Sequence, residues 1–532
     1  MQNSSPPKHR QWGDFQTPLP LARRVCQVLD AQGIQPRLLI EPTHGAGNLI
    51  LAALETFSTL EHVYGVEIQA QYAQQIQTTL AEHFEKTRLS QLQIELARDD
   101  FFQHHFPARL TRARDILILG NPPWVTNAEL GALDSKNLPF KKNLKALSGL
   151  DALTGKSNFD LGEYIILRLL DTFAQADGTL AMLCKTATAK TIVELAPRQA
   201  LPISQIRLFE FDAKREFGAA VDACLLVLRI GQTESEPQVS VYSLDEPTFV
   251  KRRFGWVGDH FVSNVQTYQS SKQLEGKSPF EWRQGVKHDC AAVLELEAVD
   301  GELLNGYAEV VQVEADWIYG LVKGSDLEPW QTPAPHRRLV LTQKQIGQET
   351  LSLQSTAPAL WAYLVQHEKV FSKRKSSIYR QHARFAIFGI GAYSFKLYKV
   401  AISGLHKEPT FSLVMPFQNR PVMLDDTCYF LGFDEYADAL FTVSLLNTAP
   451  VLQFLDSIIF RQAKRPYTKS SLMRLDLARV ADPCSFETMQ LAWERAGLHL
   501  TAPVTLSDWE AYRARLNHSL YISNRQMELA LG

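Results

Sequence analysis

Four consecutive residues, Asn121-Pro122-Pro123-Trp124, follow directly on an apolar run, Asp115–Gly120, and have the chemistry of a site that activates an amine. Two prolines fix φ and remove two N–H donors, so the turn offers carbonyls and nothing to donate back. The Asn121 side-chain oxygen and the Pro122 carbonyl can both accept from one exocyclic NH2 group. Trp124 supplies a flat apolar face for the ring that carries this amine. Accepting both protons raises the electron density on nitrogen as it attacks an electrophilic methyl group. A general base is not required, because the amine is neutral and its proton becomes acidic only as the N–C bond forms.

Three features upstream have the types and order of a nucleoside site. The stretch Glu41-Pro42-Thr43-His44-Gly45-Ala46-Gly47-Asn48 closes one apolar run, Arg37–Thr43, and opens a helical one, Leu49–Leu60. Gly45 and Gly47 let the backbone turn tightly and let a ligand approach without a Cβ in the way. Alone, such a turn is equally consistent with an ordinary connection. Glu67-Ile68 ends the next run, Glu67 lying 26 residues after Glu41, where a carboxylate can accept from two ribose hydroxyls. Asp99-Asp100-Phe101-Phe102 closes the third run. A carboxylate there can accept from an adenine amine while the neighbouring ring covers its face. The loop has no GxxxxGK[ST] pattern and no lysine, and Glu41 would repel a pyrophosphate. These features point to a nucleoside ligand without phosphates, such as S-adenosylmethionine, over NAD or ATP.

The elements that must position these residues alternate. Strand-like runs at Arg37–Thr43, His62–Ile68, Leu92–Phe102, Asp115–Gly120, Gly178–Cys184, Ile206–Phe211 and Ala223–Ile230 are interleaved with helical ones such as Leu49–Leu60 and Leu161–Ala176. That alternation predicts an α/β fold with a parallel sheet of seven strands, covered on both faces. Each chemical residue then sits beyond the C-terminal end of a strand, where open sheets bind ligands. After Ile230 the chain becomes polar, turn-rich and less regular. A boundary near residue 246 gives a domain of residues 1–245 and a separate mixed α+β domain of residues 246–532. Basic clusters at Lys251–Arg253, Lys373–Lys375 and Arg461–Arg465 could contact phosphates, although any one of them is more often solvated surface charge.

Composition narrows the class. The 532 residues are 45% hydrophobic and 21% charged, which excludes a disordered, collagen-like or coiled-coil chain. No apolar run approaches the length of a membrane helix, and the polar, proline-bearing N-terminus does not read as a secretory signal. A formal charge of -2 neither announces nor excludes a nucleic-acid partner. Cys26, Cys184, Cys224, Cys290, Cys428 and Cys484 form no metal-binding spacing, and most read as small buried thiols in a reducing cytoplasm. The 14 histidines are scattered, and His104-His105 reads as a polar loop, so no metal site is expected.

Taken in order, these motifs resemble the class I S-adenosylmethionine-dependent methyltransferases, and more narrowly the gamma-class, TaqI-like DNA adenine-N6 methyltransferases. The resemblance covers residues 12–230 by ordered motifs. Asp14-Phe15-Gln16-Thr17-Pro18 is similar to the family's N-terminal motif, which implies that Phe15, Thr17 and Pro18 help cover the cofactor. Glu41, Pro42, Gly45 and Gly47 match the glycine loop, with Thr43-His44 where a small residue or Cys is usual. Glu67 with Ile68 falls at the ribose, and Asp100 with Phe101 at the adenine. Asn121–Trp124 matches the catalytic tetrapeptide, with Asn121 also beside the cofactor. Asp160–Tyr164 resembles the helix start next to the cofactor, and Phe217-Gly218 the motif whose aromatic stacks the second face of the flipped base.

The resemblance implies a Rossmann-like catalytic domain followed by a target-recognition domain. It implies double-stranded DNA as partner, a separate restriction endonuclease, a monomer, a cytoplasmic location and no membrane. Met423–Phe430 and Arg465–Thr468 are also similar to C-terminal parts of such enzymes. The same tetrapeptide serves protein glutamine-N5 and RNA guanine-N2 methyltransferases. A third reading, a non-catalytic DNA-binding relative, sits poorly with the intact set of Glu41, Glu67, Asp100 and Asn121.

Overall fold

The computed structural model describes residues 16–125 and 160–517. The chain divides into two compact units, Met1–Val265 and Gln266–Gly532. In the first, ten strands form one sheet: β1 (Leu38–Glu41), β2 (His62–Glu67), β3 (Gln93–Arg98), β4 (Arg114–Gly120), β5 (Asp177–Lys185), β6 (Ile203–Phe211), β7 (Ala223–Ile230), β8 (Gln238–Ser243), β9 (Arg252–Val257) and β10 (His260–Val262). Their spatial order is β10-β9-β8-β6-β7-β5-β4-β1-β2-β3.

The α/β sheet is as expected, with two differences from a parallel sheet of seven strands. Strands β3, β2, β1, β4 and β5 are parallel neighbours, but β7 enters antiparallel between β5 and β6. The link from β6 to β7 holds only the short helix Ala213–Phe217, too little chain for the crossover that a parallel return requires. The sheet also continues past β7. Strand β8 pairs parallel with β6, β9 antiparallel with β8, and β10 antiparallel with β9. The expected boundary at 245/246 therefore falls in the β8–β9 connection. Because β9 covers the edge of β8, and Trp256 Nε1 donates to the Val193 carbonyl at 3.1 Å, the first unit runs on to Val265.

Central strands are buried on both faces, which is why they read as unbroken apolar runs. Leu39, Ile40, Leu117, Ile118, Leu119, Leu180 and Leu183 are all fully buried. Helix Leu19–Ala31 presents Leu21, Ala22, Val25, Val28 and Leu29 along one stripe, and these join the same core as helix Asn48–Thr56. Fully burying a leucine contributes about 1.5–3 kcal/mol, so this core holds the strand ends firmly in register.

The second unit has an α+β arrangement. Strands β11 (Arg283–Gln284), β12 (Glu295–Val299), β13 (Glu302–Leu304), β14 (Ile318–Val322), β15 (Trp330–Gln331), β16 (Arg337–Val340), β17 (Tyr398–Ser403), β18 (Phe411–Val414), β19 (Met423–Leu424) and β20 (Cys428–Phe433) precede helices Tyr436–Leu446, Ala449–Ile458 and Phe486–Arg495. They form two five-stranded sheets, ordered β11-β20-β17-β18-β15 and β13-β12-β16-β14-β19. The two C-terminal segments noted in the sequence meet: Arg465 Nη1 donates to the Asp426 carbonyl at 2.7 Å and Nη2 to its carboxylate at 3.1 Å. Among the described residues no single helix is long and apolar enough to cross a membrane.

Candidate functional site

Strand β1 ends at Glu41, and Pro42–Gly47 turns the chain into helix Asn48–Thr56. Gly47 takes φ +81° as the residue before the helix, and a Cβ there would lie 2.4 Å from Ile76 Cδ1. Gly45 has φ +51°, and its Cβ would lie 2.5 Å from Gln16 Oε1. The positive φ favours glycine at both positions, and at Gly47 the buried Ile76 side chain also crowds a Cβ, whereas at Gly45 the neighbour is the movable end of Gln16. Gln16 Oε1 accepts from the Ala46 N–H at 2.8 Å, and Asn48 Nδ2 donates to the Thr17 carbonyl at 2.9 Å. These bonds hold Gln16 and Thr17 across the loop. Pro18 follows them at the start of helix Leu19–Ala31. Phe15 lies outside the described residues.

Strand β2 delivers Glu67 beside this loop. Its Oε2 accepts from the Gly45 N–H at 2.9 Å and its Oε1 from the Gln69 N–H at 2.7 Å. Ile68 stays 41% exposed at the rim. After β3, the Asp100 carboxylate accepts from the Phe102 N–H at 2.9 Å, and Phe101 is buried beneath it.

Sequence reasoning missed what fixes this third loop. His104, expected in a polar loop, is buried. Its Nδ1 lies 2.9 Å from Asp99 Oδ2 and its Nε2 lies 3.0 Å from the Tyr64 hydroxyl. The His104 hydrogen bond holds the Asp99 carboxyl below the usual carboxylate range. Arg168 adds a second brace: it donates to the carbonyls of Phe102 and His104, and its guanidinium carbon lies 5.2 Å from the Phe101 ring centre. The available signal was that Arg168 is the one cation in the helical run Leu161–Thr172, set in the apolar stretch Tyr164–Leu170.

The Asn121 turn follows β4. Asn121 Nδ2 donates to Thr17 Oγ1 at 3.2 Å, which commits the amide nitrogen and so sets the direction of Oδ1. Helix Leu161–Thr172 starts against the prolines, where a Cβ on Gly162 would lie 3.6 Å from Pro122 Cγ and from the Pro123 carbonyl. Asp160 caps that helix, accepting from the Gly162 N–H at 2.9 Å, and pairs with Lys185 Nζ at 2.8 Å. Trp124 is buried and donates to the Leu183 carbonyl at 3.3 Å.

Trp124 and Phe217 are neighbours, as the sequence reading requires, with ring centres 5.1 Å apart. Their planes, however, are inclined at 74°, an edge-to-face contact rather than two parallel walls. A planar base between two faces needs about 7 Å, twice a carbon contact of roughly 3.5 Å. Phe217 ends its short helix at Gly218, which has φ +66°.

One cavity joins these elements, and its lining includes Thr17, Glu41, Pro42, Gly45, Glu67, Ile68, Asp100, Phe101, Asn121 and Pro123. Four carboxylates line it, those of Glu41, Glu67, Asp99 and Asp100, and among the described residues no lysine or arginine does. Glu41 is 2% exposed, and its Oε2 has no hydrogen-bond partner among the described residues. Burial raises its pKa well above the usual range, the Ile50 N–H opposes that rise, and nearby Glu67 adds to it. Burial also lowers the pKa of His44, whose Nδ1 faces the Gly45 carbonyl at 2.8 Å. A buried acid without a cation suits a ligand that brings its own positive charge. The pocket therefore fits a sulfonium nucleoside better than a phosphate-bearing one.

No protein-family model matches the chain. Among solved structures, MmeI, a type IIL restriction-modification enzyme in complex with DNA, matches with a TM-score of 0.52 at 14% identity, over 96% of this chain and 73% of that one. That likeness concerns the fold. The sequence likeness is closer: the type II methyltransferase M.NspV of Nostoc sp. (strain ATCC 29411 / PCC 7524) is 37% identical over 473 residues, 88% of this chain and 97% of the relative. With over a third of residues shared along nearly the full length of both, the chain belongs to the type II methyltransferase family.

Proposed function

We propose that this site-specific DNA methyltransferase of restriction–modification uses S-adenosylmethionine to methylate N6 of an adenine flipped out of duplex DNA. The observation that carries this reading is the position of the Asn121 amide. It is oriented by Thr17 beside a cavity whose ionisable wall groups among the described residues are, besides His44, all acids. Glu41, Pro42, Gly45 and Gly47 would hold the amino-acid end of the cofactor, with Thr17 and Pro18 above it. Glu67, with Ile68 beside it, would accept from the ribose, while Asp100 and Phe101 would hold the adenine. When bound, the cofactor supplies an electrophilic methyl group on a positive sulfur.

The chain's own residues do the rest. Asn121 Oδ1 and the Pro122 carbonyl accept the two N–H bonds of the target amine and stabilise the positive charge that develops on nitrogen. Flipping the base costs a few kcal/mol, and stacking returns about 1–3 kcal/mol per aromatic contact. Trp124 offers one face. Phe217 has to withdraw from its edge contact with Trp124 before it can cover the other. Residues 266–532 would read the target sequence as a monomer's second domain, with a separate restriction endonuclease acting in the same cytoplasm.

The test is to express the chain in cells that lack adenine methylation and to sequence their DNA with a method that resolves N6-methyladenine. A single methylated motif is expected, and it should vanish with Asn121→Ala. Methylated cytosine at a fixed motif, with adenine untouched, would overturn the adenine assignment.

A further inference from the structure

The three basic clusters have different fates in the fold. Lys251 and Arg252 share Glu210, at 3.6 and 3.0 Å. Arg461 pairs with Asp456 and Glu408, and Arg465 with Asp426. Each of these clusters thus keeps one exposed cation, Arg253 or Lys464, without a carboxylate partner among the described residues. The third cluster is different. It extends through residues 373–384, where Lys373, Arg374, Lys375, Arg380 and Arg384 occur with no Asp or Glu. Lys373, Lys375 and Arg380 are exposed, and none has a carboxylate partner among the described residues.

This segment is also held in shape from inside. Arg374 Nε donates to the Phe371 carbonyl at 3.1 Å, Nη1 to the Ala386 carbonyl at 2.6 Å and Nη2 to the Arg384 carbonyl at 3.3 Å. One guanidinium thus closes the two ends of the segment on each other. Its carbon lies 3.7 Å from the centre of the Tyr379 ring, which is buried under the loop. Arg384 is taken up by Glu368, and Asp289 lies close enough to Tyr379 and Arg374 to act on both electrostatically. The middle cations are left facing solvent on a closed, pinned loop.

We propose that the loop 373–384 is a phosphate-contacting surface for the DNA duplex, with Lys373, Lys375 and Arg380 as the contacting residues and Arg374 as the residue that positions them. The inference rests on the DNA-methyltransferase reading above. Long side chains pinned at their base lose less freedom on binding, so the loop is matched to an anion-lined surface. Lysines act on phosphates as point charges and carry no sequence information. The loop therefore contributes affinity and salt dependence rather than selectivity.

The experiment titrates a labelled duplex of arbitrary sequence with the full-length protein over a series of KCl concentrations. Neutralising three phosphate contacts in Lys373→Gln/Lys375→Gln/Arg380→Gln should lower the slope of log K against log salt by about 2.7, three times roughly 0.9. The charge-preserving variant Lys373→Arg/Lys375→Arg/Arg380→Lys should keep the wild-type slope. The melting temperature and the affinity for S-adenosylmethionine should stay unchanged in both. A wild-type slope in the neutralised variant would overturn the proposal while leaving the DNA reading intact. So would a loss seen equally in the charge-preserving variant, or a change confined to single-stranded RNA. If the wild-type protein does not bind duplex DNA at all, the DNA reading itself fails, and this inference with it.

Discussion

The Asn121 side-chain amide donates to the Thr17 hydroxyl at 3.2 Å, joining residues 104 positions apart. An amide has one donor end and one acceptor end, so committing the nitrogen decides where the oxygen points. Thr17 is itself held in place, because its carbonyl accepts from Asn48 in the glycine loop. Asn121 and the glycine loop are thus coupled through a single residue. Asn121→Ala should lower single-turnover methyl transfer at least about a hundredfold, the effect of removing one preorganised group that acts in the transition state. Thr17→Val should lower it by about tenfold, because the acceptor survives but loses its orientation. Thr17→Ser should restore most of the loss. An unchanged rate in Asn121→Ala would refute the acceptor role.

Glu41 gives a prediction in pH. Burial raises its pKa well above the usual range, so the ligand-free protein favours the neutral acid. For a raised carboxyl the stabilising contribution is complete below its unfolded pKa, near 4.5, and is lost as pH rises through the folded value. Glu41→Gln should therefore raise the melting temperature of the ligand-free enzyme at pH 8 and leave it nearly unchanged at pH 5. The same substitution should weaken S-adenosylmethionine binding by about 1.5–3 kcal/mol, the worth of a hydrogen bond to a charged group. In the wild type, affinity should rise with pH across this window, with proton release detected by calorimetry in buffers of different ionisation enthalpy. A flat affinity profile would remove Glu41 from the cationic end of the site.

Much of the site was legible because strand ends are local features. An apolar run that stops at Glu41, Glu67, Asp100 or Asn121 announces a side chain at the rim of a sheet, whatever the neighbouring strands are. What could not be read depends on which strand lies next to which. The antiparallel insertion of β7 is such a case, and it brings Cys184 and Cys224, 40 residues apart, to a sulfur separation of 4.0 Å. Spacing rules for cysteine see only sequence neighbours. His104 was misread for a related reason: its partners come from two different strands, Tyr64 from within β2 and Asp99 from just past the end of β3. The relation of Trp124 to Phe217 was legible as proximity but not as ring orientation, which is set by packing.

Lys399, on β17, is 1% exposed, and its Nζ donates to the Lys396 carbonyl at 2.6 Å. Burial pushes its pKa down to about 7, from an ordinary 10.5. Between these values the unfolded chain holds a proton that the folded one has released, so stability rises with pH from about 7 to 10.5. The gain is at most about 1.4 kcal/mol per pH unit. Lys399→Met, of similar length and without the charge, should flatten this rise and stabilise the protein at pH 7 by a few kcal/mol, on the order of other buried-charge replacements. Chemical denaturation of wild type and variant at pH 7 and pH 9.5 checks it. An equal pH response in both would mean that Lys399 is not the titrating group.

The final prediction concerns where the first unit ends. Cutting at residue 245 removes β9 and β10, exposes the backbone edge of β8 and takes away Trp256, which is buried and hydrogen-bonded to Val193. An uncovered edge strand and a lost buried tryptophan are each sufficient to promote aggregation or unfolding. A fragment of residues 1–265 keeps all ten strands and should be folded by circular dichroism, whereas residues 1–245 should not be. The longer fragment should still bind S-adenosylmethionine, because every cavity-lining residue among the described ones lies before Val265. It should lose its preference for the cognate site, and with it nearly all activity on duplex DNA, if base-edge contacts come from residues 266–532. A folded 1–265 fragment that methylates the same motif with the same selectivity would place recognition within the first unit and leave the second without that role.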